Sequence, residues 1–310
     1  MPHAKSISAV TLKTWLDEGR DILVLDVLPP EHHAARHIPG SRNYCVYEMT
    51  FLDQLTEAGF TRDKPLVLAS SSHRCLGAQD AADKLLAAGY TDVTICQDGL
   101  EGWTQAGYPL EGHLGDEPVS PCELGIANGL LHVDPQASRI QWTGRSRNGF
   151  HMGTVALSSG AMRFSDGRMV LGSFSLDMRT LKNEDLEDQS LAAILVSHLS
   201  SVDFFLVEAH PEALFDSTHI ILLPGHTPGG ANYEVEGQLT LRGVTRDLSF
   251  PATLERLDDG RLSLEAHFDL DRTRWGARYG SGRFFEKLGM HLVHDVVSIQ
   301  LRLVTAGNGN

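Results

Sequence analysis

The chain has 310 residues, enough for about two domains, and its 42% hydrophobic and 21% charged content is that of a globular protein with buried cores. With 40 acidic against 26 basic residues its net charge is -14, which argues against nucleic acid and anionic membrane surfaces as partners. No stretch reaches the length of a membrane span and the N-terminus has no uninterrupted apolar run of a signal peptide, so the expectation is a cytoplasmic protein without a membrane span. The 4 cysteines show no Cys-x-x-Cys spacing, so a disulfide framework is not expected.

Taken in chain order, residues 22–43 read ILVLDVLPPEHHAARHIPGSRN, an apolar strand ending in Asp26 and followed by a turn-rich segment. Residues 66–89 read LVLASSSHRCLGAQDAADKLLAAG. The apolar run Leu66, Val67, Leu68 passes into a small-residue loop that closes on Arg74. Apolar spacing at Ala78, Ala81, Ala82, Leu85 and Leu86 then predicts a helix. A strand turning directly into a helix aims backbone N–H groups at one point and makes an anion cradle. The position where such loops hold a nucleophile is Ala69, which carries no reactive atom. Residues 89–112, GYTDVTICQDGLEGWTQAGYPLEG, place a further strand at Val93–Cys96.

Strand-Asp, Glu-His-His, His-Ile-Pro-Gly, strand-loop-Arg-helix and Asp-Gly-Leu-x-x-Trp-x-x-x-Gly, in this order, resemble a rhodanese-like domain over residues 1–112. The resemblance implies a parallel α/β sheet flanked by helices. It also implies a six-residue active loop whose first residue is a persulfide-carrying cysteine and whose last is the arginine matched by Arg74. The loop from Ala69 to Arg74 keeps the sulfur-type length and lacks the cysteine, and Leu28 stands where the family often has arginine. The domain is therefore expected to be non-catalytic and to bind a small anion through Ala69, Ser70, Ser71, Ser72, His73, Arg74 and Cys75. Two roles stay open for Cys75, placed at the start of the helix: a displaced nucleophile with a lowered pKa, or a small residue packing under the loop. The hydroxyls of Ser70, Ser71 and Ser72 read as turn and cap formers, and Cys45 and Cys96 as core thiols.

Residues 113–129 are rich in Gly, Pro and acidic residues and read as a linker. From residue 130 to 306 the period is two, with a short tail at 307–310. Ile140 and Trp142, then Phe174, Leu176 and Met178, then Tyr233, Val235, Leu239 and Leu241 alternate with polar neighbours. So do Leu262, Leu264, Ala266, Phe268 and Leu270, and finally Val297, Ile299, Leu301 and Leu303. About eight antiparallel strands in a sandwich or barrel follow. One helix is expected over residues 183–199, with Leu186, Leu191, Ile194, Leu195 and Leu199 on one side.

Residues 131–164, LHVDPQASRIQWTGRSRNGFHMGTVALSSGAMRF, are followed by HLSSVDFF at 198–205, LTLRGVTR at 239–246 and FDLDRTRWGARYG at 268–280. These resemble a YceI-like domain, a family of lipocalin-like antiparallel barrels associated with isoprenoid chains and quinone tails. The resemblance implies a small hydrophobic molecule as ligand, and as cofactor a bound polyisoprenoid or quinone. Trp142, Phe150, Phe174, Phe204, Phe205, Leu239, Leu241, Phe268 and Trp275 are the expected ligand contacts, with Arg274 at the headgroup. The same aromatic residues, with Phe164, Phe215 and Phe250, could instead fill a solid core. Arg272, Arg274, Arg278 and Arg283 lie beside Tyr279 in one segment, either at a ligand headgroup or as solvated loop residues. The 15 histidines include no His-Glu-x-x-His, so no metal site is expected, and His151 and His198 read as hydrogen-bonded structural residues.

Three functions remain: a hydrophobic-ligand binding protein with a non-catalytic rhodanese-like domain, a sulfurtransferase using Cys75, and a scaffold for partner proteins. The first is the reading adopted. Subunit number is left open, a homo-oligomer included.

Overall fold

The computed structural model describes residues 4–113, 126 and 128–307. The chain divides into two compact units, Met1–Val119 and Ser120–Asn310. Most of the stretch read as a linker, and the last three residues, lie outside the described residues.

The first unit runs β1 (Lys5–Ile7), α1 (Ala9–Asp17), β2 (Leu23–Asp26), α2 (Pro30–Ala35), β3 (Arg42–Asn43), α3 (Phe51–Glu57), β4 (Leu66–Ala69), α4 (Gly77–Ala87), β5 (Val93–Cys96) and α5 (Gly99–Gln105). Its five strands pair in parallel in the order β1-β5-β4-β2-β3. The central strands LVLA and VTIC are buried at every position, as a parallel sheet covered on both faces requires. Leu66 and Leu68 join one core cluster with Phe51, Leu55 and Leu85, while Val67 and Ala69 join another with Leu12, Cys96 and Trp103. The period of two thus sends successive side chains to opposite cores.

The second unit runs β6 (Gly129–His132), β7 (Arg139–Ser146), β8 (Gly149–Ser165), β9 (Arg168–Asn183), α6 (Gln189–Ser200), β10 (Glu212–Leu222), β11 (Tyr233–Leu241), β12 (Val244–Arg256), β13 (Leu262–Asp271) and β14 (Val293–Val304). Eight antiparallel strands close into a barrel because β8 pairs with both β7 and β9. β6 lies beside the far half of β8, from the Gly129–Phe164 pair onward. Closure draws β8 and β9 together at Gly153, where a Cβ would stand 1.7 Å from the Lys182 carbonyl oxygen; only glycine fits that approach.

The helix differs from the expectation. Asn183 is the last residue of β9, and its amide bonds the Met152 carbonyl and Asp185. Asp188 caps α6 by accepting from the N–H groups of Ser190 and Leu191, so the helix starts six residues later than 183. Leu191 and Ile194, expected on one side with Leu186, Leu195 and Leu199, are exposed, whereas those three are half-buried.

One end of the barrel is solid: Met162, Phe164, Met169, Tyr233, Leu254 and Leu262 are almost wholly buried there. The Met169 N–H donates to the Tyr233 hydroxyl at 3.2 Å and fixes the plug. The other end carries the β7–β8, β11–β12 and β13–β14 connections and α6. No helix among the described residues is long and apolar enough to cross a membrane.

Candidate functional site

In the first unit the loop after β4 is held from below by α5. Leu100 N–H donates to the Ser70 carbonyl at 2.9 Å and Glu101 N–H to the Ser71 carbonyl at 2.8 Å. Because a trans peptide points its N–H opposite its C=O, the N–H groups of Ser71 and Ser72 face the other way, into the loop. Gly99 sits at φ +58° with its Cα against this backbone; a Cβ would lie 2.5 Å from the Ser70 oxygen. The Asp-Gly-Leu motif therefore shapes the loop. Asp26, buried, accepts from Leu28 N–H at 3.0 Å and meets the His33 ring at 2.9 Å, and His33 stacks on His37. The Leu28 side chain is buried, so no second cation enters the loop from the position where the family often has arginine.

Ala69 is the last residue of β4, rather than part of the loop, and packs into the core. Ser70 is buried, whereas Ser71, His73 and Arg74 are exposed; His73 Nδ1 lies 3.8 Å from Glu101. Cys75 does not start the helix: α4 begins at Gly77 with Leu76 as its cap. Burial works against the Cys75 thiolate, but hydrogen bonds from the Gly77 N–H and from Ser71, Tyr47 and Ser70 outweigh it and hold the thiol below its ordinary value. The Tyr47 hydroxyl stands 3.8 Å from the sulfur, and burial together with this thiol pushes its own pKa up to about 12, so it stays a donor. Cys96 is the opposite case: burial pushes its thiol up to about 11.

Cys75 is accordingly expected to be alkylated by iodoacetamide before the buried Cys45 and Cys96. Its thiolate, and so its reactivity, should emerge at a pH below that of an ordinary thiol. Tyr47→Phe, by removing a donor to the sulfur, should move that midpoint upward. Peptide mapping across a pH series reads all three; labelling at ordinary thiol pH would contradict the assignment.

In the second unit the barrel encloses a cavity of about 380 Å³, within the range of small-molecule sites. Trp142, Phe150, Phe174, Phe204, Phe205, Leu239, Leu241 and Phe268 stand on its wall. Phe174 stacks near Phe215, Phe215 tilts toward Phe250, and Phe250 stacks on Phe268 at 4.6 Å, so the rings form a continuous apolar side. The alternatives of core and cavity are divided along the barrel: the solid end is core and the rest is cavity.

Trp275 and Arg274 are not on that wall. Trp275 is fully buried and donates its indole N–H to the Leu239 carbonyl at 2.9 Å. Arg274 is exposed, lies over the Trp275 ring and bonds the Asp247 carbonyl at 2.7 Å. Both follow from the 3₁₀ turn Arg272–Trp275, which sends Arg272 inward in their place. Arg272 lines the cavity 5.2 Å from the Phe204 ring centroid, with its donors on the carbonyls of His294, Ala277, Tyr279 and Val293. It was named in the sequence only as one of four arginines in a segment; nothing in the period marks it as the inward one.

The polar groups of the cavity gather at the open end. His151 meets Asp185 at 2.8 Å, and His198 meets Asp203 at 3.2 Å while standing edge-on to Phe204 and Tyr279. Both histidines are hydrogen-bonded as expected, and both also line the cavity, as do His291 and His294. Among the described residues no cluster of three or more His, Cys, Asp or Glu is arranged to hold a metal ion.

Comparison with known proteins accords with this division. Residues 8–106 match the rhodanese-like domain model and residues 131–305 the YceI-like domain model. A curated relative, the HTH-type transcriptional regulator Rv0324 of Mycobacterium tuberculosis, is 33% identical over 94 residues, which are 30% of this chain and 39% of that protein. The chain thus spans well under two thirds of that relative's length. Among solved structures, Burkholderia cenocepacia BcnA is 21% identical, covering 56% of this chain and 99% of its own, with a TM-score of 0.44. A polyisoprenoid binding domain from Saccharophagus degradans is 11% identical, covering 58% of this chain and 99% of its own, with a TM-score of 0.43. An aromatic-walled barrel in one unit and an Arg-closed loop without its cysteine in the other are what this chain makes of two known parts: it belongs to the YceI-like family and carries a rhodanese-like domain ahead of the barrel in sequence.

Proposed function

We propose that the chain is a binding protein for a linear hydrophobic molecule, an isoprenoid or quinone-like lipid, with a non-catalytic rhodanese-like domain that holds a small anion. The observation that carries this reading is the apolar cavity of about 380 Å³ with its polar groups confined to one end. An apolar chain gains about 0.8 kcal/mol for each methylene buried and needs no precise polar partners along its length. A headgroup with hydrogen-bonding oxygens would meet His198 and Tyr279 at the open end. In the first unit, the inward N–H groups of Ser71 and Ser72 with Arg74 suit sulfate, sulfite or thiosulfate, and Ala69 cannot attack them.

Native mass spectrometry of the purified protein, followed by organic extraction and lipid mass spectrometry, tests this. The expected result is a stoichiometric isoprenoid or quinone. A clean polypeptide mass with nothing extracted would count against it.

A second reading is supported by the Cys75 environment: a thiol held below its ordinary value at the mouth of the loop could carry a persulfide in place of the family's cysteine. An added mass of one sulfur atom, removed by reductant and lost in Cys75→Ala, would favour this reading over the first.

A further inference from the structure

The open end of the barrel has a surface chemistry unlike the rest of the chain. Between β13 and β14, residues 282–287 are exposed without a break. Phe284 and Phe285 are 44% and 49% exposed there, and Met290 is 74% exposed. Phe150 at the start of β8, and Leu191 and Ile194 on α6, also project into solvent at this end. Phe150 and Met290 line the cavity as well, so its apolar wall continues onto the outer rim.

Charge at this end is unevenly placed. Residues 272–287 hold Arg272, Arg274, Arg278, Arg283 and Lys287 against Glu286 alone, in a chain of net charge -14. Arg272 is spent on backbone carbonyls, and Arg283 pairs with Asp271 and Asp295. Arg278, over the Phe284 ring at 4.9 Å, and Lys287 remain on the outside beside the aromatic pair. The acidic side chains at this end include Asp271 and Asp295, which are taken up by Arg283, and Asp203, whose partner His198 stands edge-on to Tyr279. Exposed phenylalanines cost free energy in water, and aromatic residues set between Arg and Lys heads are the composition of a segment lying in a lipid interface. A ligand that is an apolar chain has its own reservoir in such a phase.

We propose that this rim seats the open end of the barrel on a lipid bilayer. Phe284, Phe285 and Met290 enter the acyl boundary while Arg278 and Lys287 meet lipid phosphates. The ligand then passes between cavity and membrane without crossing water. The passage of ligand rests on the lipid-binding reading given above; the docking surface does not.

The test uses the full chain with vesicles of phosphatidylcholine containing a minority of phosphatidylglycerol, and compares it with the double variant F284S/F285S. Neither phenylalanine lines the cavity. The expected result is that the native protein floats with the vesicles and that the variant partitions at least about tenfold less, with an unchanged melting curve. Farnesol, titrated in solution against tryptophan fluorescence, should bind both proteins equally. Absence of flotation by the native protein, or equal flotation by the variant, overturns the docking. A native dimer that F284S/F285S converts to monomer overturns it too, since a second copy then covers the rim. Flotation with no response to farnesol overturns the passage of ligand and the cavity reading together, and leaves the docking standing.

Discussion

Replacing Arg272 by leucine is expected to destabilise the barrel by about 3–5 kcal/mol, the largest single-site effect on folding that the structure implies. Arg272 is 1% exposed, and its guanidinium donates to four backbone carbonyls that join the end of β13 to the start of β14. Burial lowers its pKa, while Asp295 and Asp271 act against that fall, so it remains a cation at any ordinary pH. Leucine keeps the packing against Phe204 but leaves those carbonyls without their donor, and each buried acceptor so stranded costs about 1–3 kcal/mol. The open end admits water to some of them, which holds the sum below the full total. Denaturant unfolding of native and variant proteins measures the difference; a change under about 1 kcal/mol would refute the role. Lysine at this position should recover only part of the loss, because a single ammonium cannot reach carbonyls spread around a planar fork.

Leu239→Trp is expected to weaken binding of the cavity ligand by about 3 kcal/mol, on the order of a hundredfold in Kd, with little loss of stability. Leu239 stands on the cavity wall, so an indole there occupies the space of roughly four ligand methylenes at about 0.8 kcal/mol each. In a packed core the same enlargement would force neighbours off their rotamers at about 1–3 kcal/mol. Here the added volume has a space to enter. Titration with farnesol and a parallel melting curve separate the two effects. Unchanged binding in a folded variant would mean that the ligand does not use this part of the barrel.

The elements whose pattern repeats were legible beforehand. The strand Val93–Cys96 has the bounds read from its sequence, and the alternation of Phe174, Leu176 and Met178 marks the inward face of β9. The bounds of α6 were less legible. Leu186, Leu191, Ile194, Leu195 and Leu199 look like one stripe, yet Asp188 starts the helix, and Leu191 and Ile194 turn outward. Apolar residues on the outer face of a helix imitate an inner stripe when only spacing is available. The candidate sites show the same limit. Ala69, Arg74 and the length of their loop are local, and so readable, but the donors around Cys75 come from Tyr47 and Gly77 as well as from the loop. Trp275 and Arg274 were expected at the ligand because they are large and lie in a matching segment; a four-residue turn put Arg272 there instead.

By itself the sequence determined the two-part architecture, the parallel sheet followed by an antiparallel barrel, and the loss of the loop cysteine. These rest on local period and on ordered motifs, which survive in one dimension. Only the tertiary structure decided which end of the barrel is solid and which is cavity, which arginine turns inward, and how the loop carbonyls are turned away by α5. Each of those depends on residues far apart in the chain meeting at one place, as Phe250 meets Phe268 and Leu100 meets Ser70. In the barrel it is the pairing of β7 with β14, Ile140 opposite Leu301, that joins the two ends of the sequence, and no short window along the chain contains it.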